Sequence, residues 1–134
     1  MPMELTPFLA LAGGGLVFTL AAVLSMLLRP QAPGNAVLAG ALSAGFAAFS
    51  AVTIWAEGVF PVVLNHTSNL WGVQVWWDLL FSLSIAYFLI LPRAKALGMN
   101  LAAWTLFILA TASIGLLAMC ARLFWLEQQS ERAA

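Results

Sequence analysis

The chain has 134 residues, of which 63% are hydrophobic and 7% charged, with a mean hydropathy of +1.00. Soluble domains carry about 25% charged residues, so five basic and five acidic side chains are too few to cover a water-exposed surface of this size. That excludes an ordinary cytosolic enzyme and a disordered segment. The zero formal net charge leaves no electrostatic footprint for a nucleic acid, and the single cysteine, Cys120, excludes an intrachain disulfide or a cysteine-pair metal site.

Four apolar stretches follow one another along the chain: 8–28, 36–56, 70–91 and 101–126. The first two carry no charge, the third only Asp78 and the fourth only Arg122. Each reaches or exceeds the roughly 20 residues that cross a hydrocarbon core of about 30 Å. Lipid offers the backbone no hydrogen bonds, and the runs lack the alternating polarity of barrel strands, so they are predicted to be helices. The expected fold is all-α, an integral-membrane up-down four-helix bundle forming one domain over residues 1–134.

The first stretch has Glu4 and no basic residue before it, and its apolar run is longer than that of a signal peptide, so it is read as a retained helix. Arg29-Pro30-Gln31-Ala32-Pro33-Gly34-Asn35 is a proline-rich turn. The segment from Glu57 to Asn69 is the longest connector, apolar enough at Val59-Phe60-Pro61-Val62-Val63-Leu64 to be placed at the membrane interface. Pro92 is expected to end the third span, and Gly98-Met99-Asn100 to lead into the fourth. Arg29, Arg93 and Lys95 lie in the two connectors of one side, against Arg122 and Arg132 near the C-terminus on the other. The positive-inside rule then puts both termini on the outer face.

Small residues suggest packing faces. In the second span Ala36, Gly40, Ala44 and Ala48 recur every fourth position, and Gly115 lies in the fourth among Thr111 and Ala118. Such spacing lets helix backbones approach closely, either within the bundle or against another membrane subunit or a second copy. Trp55, Trp71, Trp104 and Trp125 fall near span ends, as an aromatic belt would have them. Trp76 and Trp77 sit deeper, one expected to face lipid and the other the bundle.

The polar residues at membrane depth are the candidate site. Gln74, Asp78 and Ser82 share one helical face at i, i+4 and i+8. With four spans alternating in direction, Arg122 falls at the same side of the membrane as Asp78, and an Asp78–Arg122 pair is expected to lock the third and fourth spans in register. The functional alternative gathers Glu57, His66, Asp78 and Arg122 around an outward-opening cavity beside Trp77, where an acid in apolar surroundings is a candidate proton donor or acceptor. His66 has no second histidine to complete a bis-histidine haem site, and no phosphate loop, nucleophile elbow or metal-ligand cluster is present in the sequence. Cys120 reads as a small apolar residue.

From Leu70 onward, Trp71-Gly72-Val73-Gln74 leads into Trp77-Asp78-Leu79-Leu80, then Arg93-Ala94-Lys95-Ala96-Leu97-Gly98-Met99, then Ser113-Ile114-Gly115-Leu116-Leu117. Over residues 70–128 this resembles the small bacterial membrane proteins grouped as domain-of-unknown-function family 2834. In that family an Asp-Leu pair opens the middle helix and a basic segment ending in glycine follows. The resemblance implies a bacterial inner-membrane protein and names no reaction.

Three functions compete at this level. The leading one is a non-catalytic accessory or interaction subunit of a membrane complex, surrounded by lipid and by other subunits or copies of itself. The second is an intramembrane enzyme or binding protein for an apolar ligand such as a terpenoid, carotenoid or other pigment, quinone or lipid, using Asp78 or Glu57, with His66 as a further catalytic candidate. The third is a small dimeric transporter, which the charge-free first helix disfavours.

Overall fold

The computed structural model describes residues 7–28 and 34–134, and these form helices throughout, in the order α1 (Pro7–Leu28), α2 (Ala36–Glu57), α3 (Phe60–Thr67), α4 (Leu70–Ala96), α5 (Leu101–Thr111) and α6 (Ser113–Ala133). Three of them, α1, α2 and α4, are long and apolar enough to cross a membrane. This fits a multi-pass membrane protein, but the four spans of an up-down bundle are replaced, among the described residues, by six helices of unequal length.

Asparagine starts three of these helices. Asn35, Asn69 and Asn100 accept hydrogen bonds from the backbone N–H groups of Leu38, Gly72 and Ala103, each three residues on. A side-chain oxygen there satisfies a donor that no helical carbonyl can reach, and lipid would leave unmet. Gly58, at φ 82°, closes α2 in a backbone conformation that side chains disfavour.

The described part of residues 1–33 is α1 alone, a unit of its own. It has no buried residue, and its Thr19 and Ser25 hydroxyls donate to the carbonyls of Gly15 and Ala22 within the helix.

Residues 34–134 form the second unit, with α6 at its centre, packed against α2, α5 and α4. α6 runs antiparallel to α2: Gln128 donates to the Gly34 carbonyl at one end (3.2 Å), and Ser43 donates to the Ile114 carbonyl at the other (2.9 Å). The core lies where α4, α5 and α6 meet, in Ala94, Met99, Ile108, Met119 and Leu123. Met119 and Leu123 are 0% exposed. Helices in lipid gain little from hiding apolar surface, so this interdigitation contributes through dispersion and close approach.

The expected fourth span, 101–126, does not exist as one helix. The chain reverses at Ala112, whose φ of 52° and ψ of −119° match the first central position of a type II′ turn. α5 and α6 thus form a hairpin. Gly115 is buried against Ile108, where an added Cβ would stand 2.9 Å from the Ile108 backbone. Eleven residues of α5 reach about 16 Å, roughly half of a hydrocarbon core. The apolar composition of 101–126 is therefore divided between α5 and the first part of α6, which hydropathy alone does not distinguish from one span.

Three further expectations are corrected. Pro92 lies inside α4, which continues to Ala96 because Ala94 is buried in the core and Arg93 is held by Glu127. The Glu57–Asn69 connector contains α3. The C-terminal part of α6 lies beside Gly34 and Arg93, at the end of the unit that holds the connector 92–100, and not at the opposite end. The N-terminal residues 1–6 and Arg29 to Pro33 are outside the described residues.

Candidate functional site: a cavity above the hairpin turn

α6 fills the space between α2 and α4 only as far as the turn at Ala112. Both long helices continue past it, and α3 crosses near their far ends. The space left between them is a cavity of about 1110 Å³, an open groove most of whose lining residues are exposed. Its walls are Phe46, Phe49, Thr53 and Glu57 of α2, Trp76, Leu80, Leu83 and Tyr87 of α4, and Val62 and His66 of α3, with Thr105, Ile108, Thr111 and Ala112 as its floor.

Most of the hydroxyls that line the cavity are already engaged. Thr53, Ser84 and Thr111 each donate to the carbonyl four residues back in their own helix, at Phe49, Leu80 and Phe107. Tyr87 and Thr105 hydrogen-bond each other at 2.6 Å across the α4–α5 junction, and Thr105 also donates to Leu101. These groups have their partners and ask for none from a ligand.

The rim at the far end differs. Glu57 has no hydrogen-bond or ion-pair partner among the described residues and is the single formally charged residue in the lining. The Nδ1 of His66 lies 2.5 Å from the Val62 carbonyl. A carbonyl only accepts, so Nδ1 carries a proton, and in that tautomer Nε2 is an acceptor. The His66 ring packs on Trp76, with centroids 5.6 Å apart. α3 can lie this close to α4 because Gly72 has no side chain: a Cβ there would collide with the Asn65 carbonyl oxygen.

The structure brings Glu57 and His66 together at the cavity and leaves the other candidates elsewhere. Gln74, Asp78 and Ser82 are exposed and absent from the lining, on the face of α4 turned away from Leu80, Leu83 and Tyr87. Trp77 is on that outer side too, edge-on to Phe81 at 5.4 Å, while Trp76 faces in. Arg122 stacks over the Trp125 ring, 4.5 Å from its centroid. The expected Asp78–Arg122 pair does not form. Asp78 stands fifteen residues before Arg93 on α4, and Arg122 only five before Glu127, the partner of Arg93 on α6. Helical rise puts the two about 15 Å apart in level. An uninterrupted fourth helix would have carried Arg122 to the level of Asp78, but the turn at Ala112 carries it back.

The packing candidates divide similarly. Gly115 is buried and Gly40 faces Ala121, where an added Cβ would be 3.8 Å away. Ala44 and Ala48 are exposed, because the line that meets α6 runs through Ala39, Gly40 and Ser43. Trp104 packs on the core cluster. Tyr87, the single tyrosine, and Thr105 are site residues that composition and spacing did not single out. An isolated phenol within an apolar helix was the available signal. No cluster of three or more His, Cys, Asp or Glu suited to a metal occurs among the described residues.

The chain matches no family model, no curated protein and no solved structure.

Proposed function

We propose that this protein is a multi-pass protein of the bacterial inner membrane that binds an apolar ligand, of the lipid, isoprenoid, carotenoid or quinone class, in the cavity between α2, α3 and α4. The observation that carries this reading is the cavity itself, about 1110 Å³ of largely apolar space with its one formally charged residue, Glu57, at one rim. Binding sites for small molecules have this form: concave, mostly apolar, with a small number of convergent polar groups. Glu57 replaces Asp78 as the acid of interest.

The test is extraction of the purified full chain with organic solvent, followed by mass spectrometry. A species enriched over bulk lipid in the wild type is expected to be lost in Thr53→Trp, which fills the cavity from an exposed lining position. The control Ser82→Trp, on the opposite face of α4, is expected to retain it. Absence of any enriched species in the wild type would overturn the reading.

A second reading, an accessory subunit of a membrane complex or a homo-oligomer, is favoured by one observation. The Gln74-Asp78-Ser82 stripe is polar, exposed and without a partner among the described residues, and acids at membrane depth ordinarily face one. The two readings use opposite faces of α4 and are compatible.

The basic residues support an orientation. Arg93, Lys95, Arg122 and Arg132 gather toward the end of the unit where α4 and α6 finish, and the positive-inside rule directs that end to the cytoplasm. The C-terminus is then cytoplasmic, and the Glu57–His66 rim faces outward.

A further inference from the structure

We infer that the ligand is an amphiphile whose head donates hydrogen bonds, an amine or a hydroxyl, seated at Glu57 and His66 with its hydrocarbon tail running down past the turn at Ala112 toward Tyr87 and Thr105. This rests on the cavity being a ligand site, and it adds which head the site selects and which way the ligand points.

The donor–acceptor balance of the lining carries the inference. At the rim, the Glu57 carboxylate and His66 Nε2 are free and both accept, the Asn65 amide can donate or accept, and Glu57 alone of the three is formally charged. Neither lysine nor arginine lines the cavity. A phosphate or carboxylate head would bring a second anion beside Glu57 without a cation to offset it, in surroundings where apolar walls weaken screening. An ammonium head meets the opposite situation, and a hydroxyl donates to either acceptor without a charge penalty. At the floor the Thr105, Thr111 and Tyr87 hydroxyls are engaged, so that end offers no seat for a head and suits a tail. Along α4 the lining extends from Trp76 to Tyr87, about 16 Å of helix, which sets the tail length the cavity accepts.

The experiment uses the full chain in bilayers of zwitterionic lipid at neutral pH, and reads quenching of Trp76, isolated by difference from Trp76→Phe. The probes are chain-brominated dodecylamine, dodecanol and dodecanoate. Saturable quenching is expected from the amine and the alcohol, with dodecanoate at least about tenfold weaker. Glu57→Gln is expected to weaken the amine about tenfold, the equivalent of one charge-assisted hydrogen bond, and to leave the alcohol within about twofold. Glu57 is exposed and has no partner to lose, so the variant is expected to fold. If the three probes bind equally, or Glu57→Gln changes the amine no more than the alcohol, the head selection is wrong while the cavity stands as a ligand site. If none saturates, both the selection and the cavity reading fail.

Discussion

Arg93 and Glu127 join α4 to α6 through two parallel hydrogen bonds, Nε to Oε1 and Nη2 to Oε2, each 2.7 Å long. The Arg93 guanidinium also lies over the Phe124 ring, 5.6 Å from its centroid, and Phe124 packs on Gly34. One side chain thus ties the finish of α4 to α6 and, through Phe124, to the start of α2. Exposed ion pairs contribute about 1 kcal/mol or less, and Arg93 and Glu127 are 48% and 24% exposed, so the geometry matters more than the charge. Arg93→Lys retains the charge but loses the planar fork and much of the ring contact. Its thermal midpoint in detergent is expected to fall, and Glu127→Gln in the same background to add little, since the two residues act as a unit. Fully additive losses would show that the pair is not coupled.

Ala112 holds the hairpin turn in a conformation that suits glycine. A residue with a Cβ in such a region carries about 1–3 kcal/mol of strain. Ala112→Gly is expected to raise stability, the relief of strain outweighing the greater freedom of glycine in the unfolded chain. Ala112→Val is expected to lower it, since branching at Cβ worsens the same contact. Thermal unfolding of the two variants checks the order, and a midpoint for the valine variant at or above that of the glycine variant would exclude the II′ turn.

Gly115 decides whether α5 and α6 can meet. Gly115→Leu would drive a side chain into the Ile108 backbone, already 2.9 Å from the added Cβ, and is expected to separate the hairpin at a cost of about 2 kcal/mol or more. Gly45→Leu, where a Cβ meets nothing within 4 Å, is the control and is expected to be near neutral. Cross-linking of cysteine pairs introduced at Trp104 and Met119 reads the hairpin directly: efficient in the wild-type background and lost with Gly115→Leu.

The hairpin also decides topology. A green fluorescent protein fused after Ala134 is expected to fluoresce, because α6 returns the chain to the basic end of the unit. An uninterrupted fourth span would export the fusion and leave it dark.

Much of the fold was legible because hydrophobic length is a strong signal. The boundaries of α1, α2 and the start of α4 follow from apolar runs with one charge or none. The fourth stretch failed for a physical reason. Ala112-Ser113 has neither proline nor glycine to mark a turn, so the break is imposed by packing of Gly115 on Ile108 and of Met119 and Leu123 in the core. Every wrong partner followed from that one break: Arg122, Trp125 and the end of α6 moved to the opposite end from Asp78. Glu57 and His66 both line the cavity, since they sit beyond the hairpin and do not depend on its course.

Asp78 tests the revised geometry from the other side. If it were paired with Arg122, Asp78→Leu would strand a buried cation and cost several kcal/mol. In the structure Asp78 is exposed, about 15 Å from Arg122 in level, and has no partner among the described residues. A carboxylate on a lipid-facing surface is unfavourable by about 2.5–3.5 kcal/mol on insertion scales. Asp78→Leu is therefore expected to leave the thermal midpoint of the purified chain unchanged or higher. A fall of many degrees would restore the pair and refute the hairpin. The same substitution separates the isolated chain from its assembled form. If the Gln74-Asp78-Ser82 stripe faces a partner helix in the membrane, Asp78→Leu will remove that partner from mild-detergent extracts while the chain itself grows no less stable. A stability gain together with a lost association is the outcome that a purely structural acid would not produce.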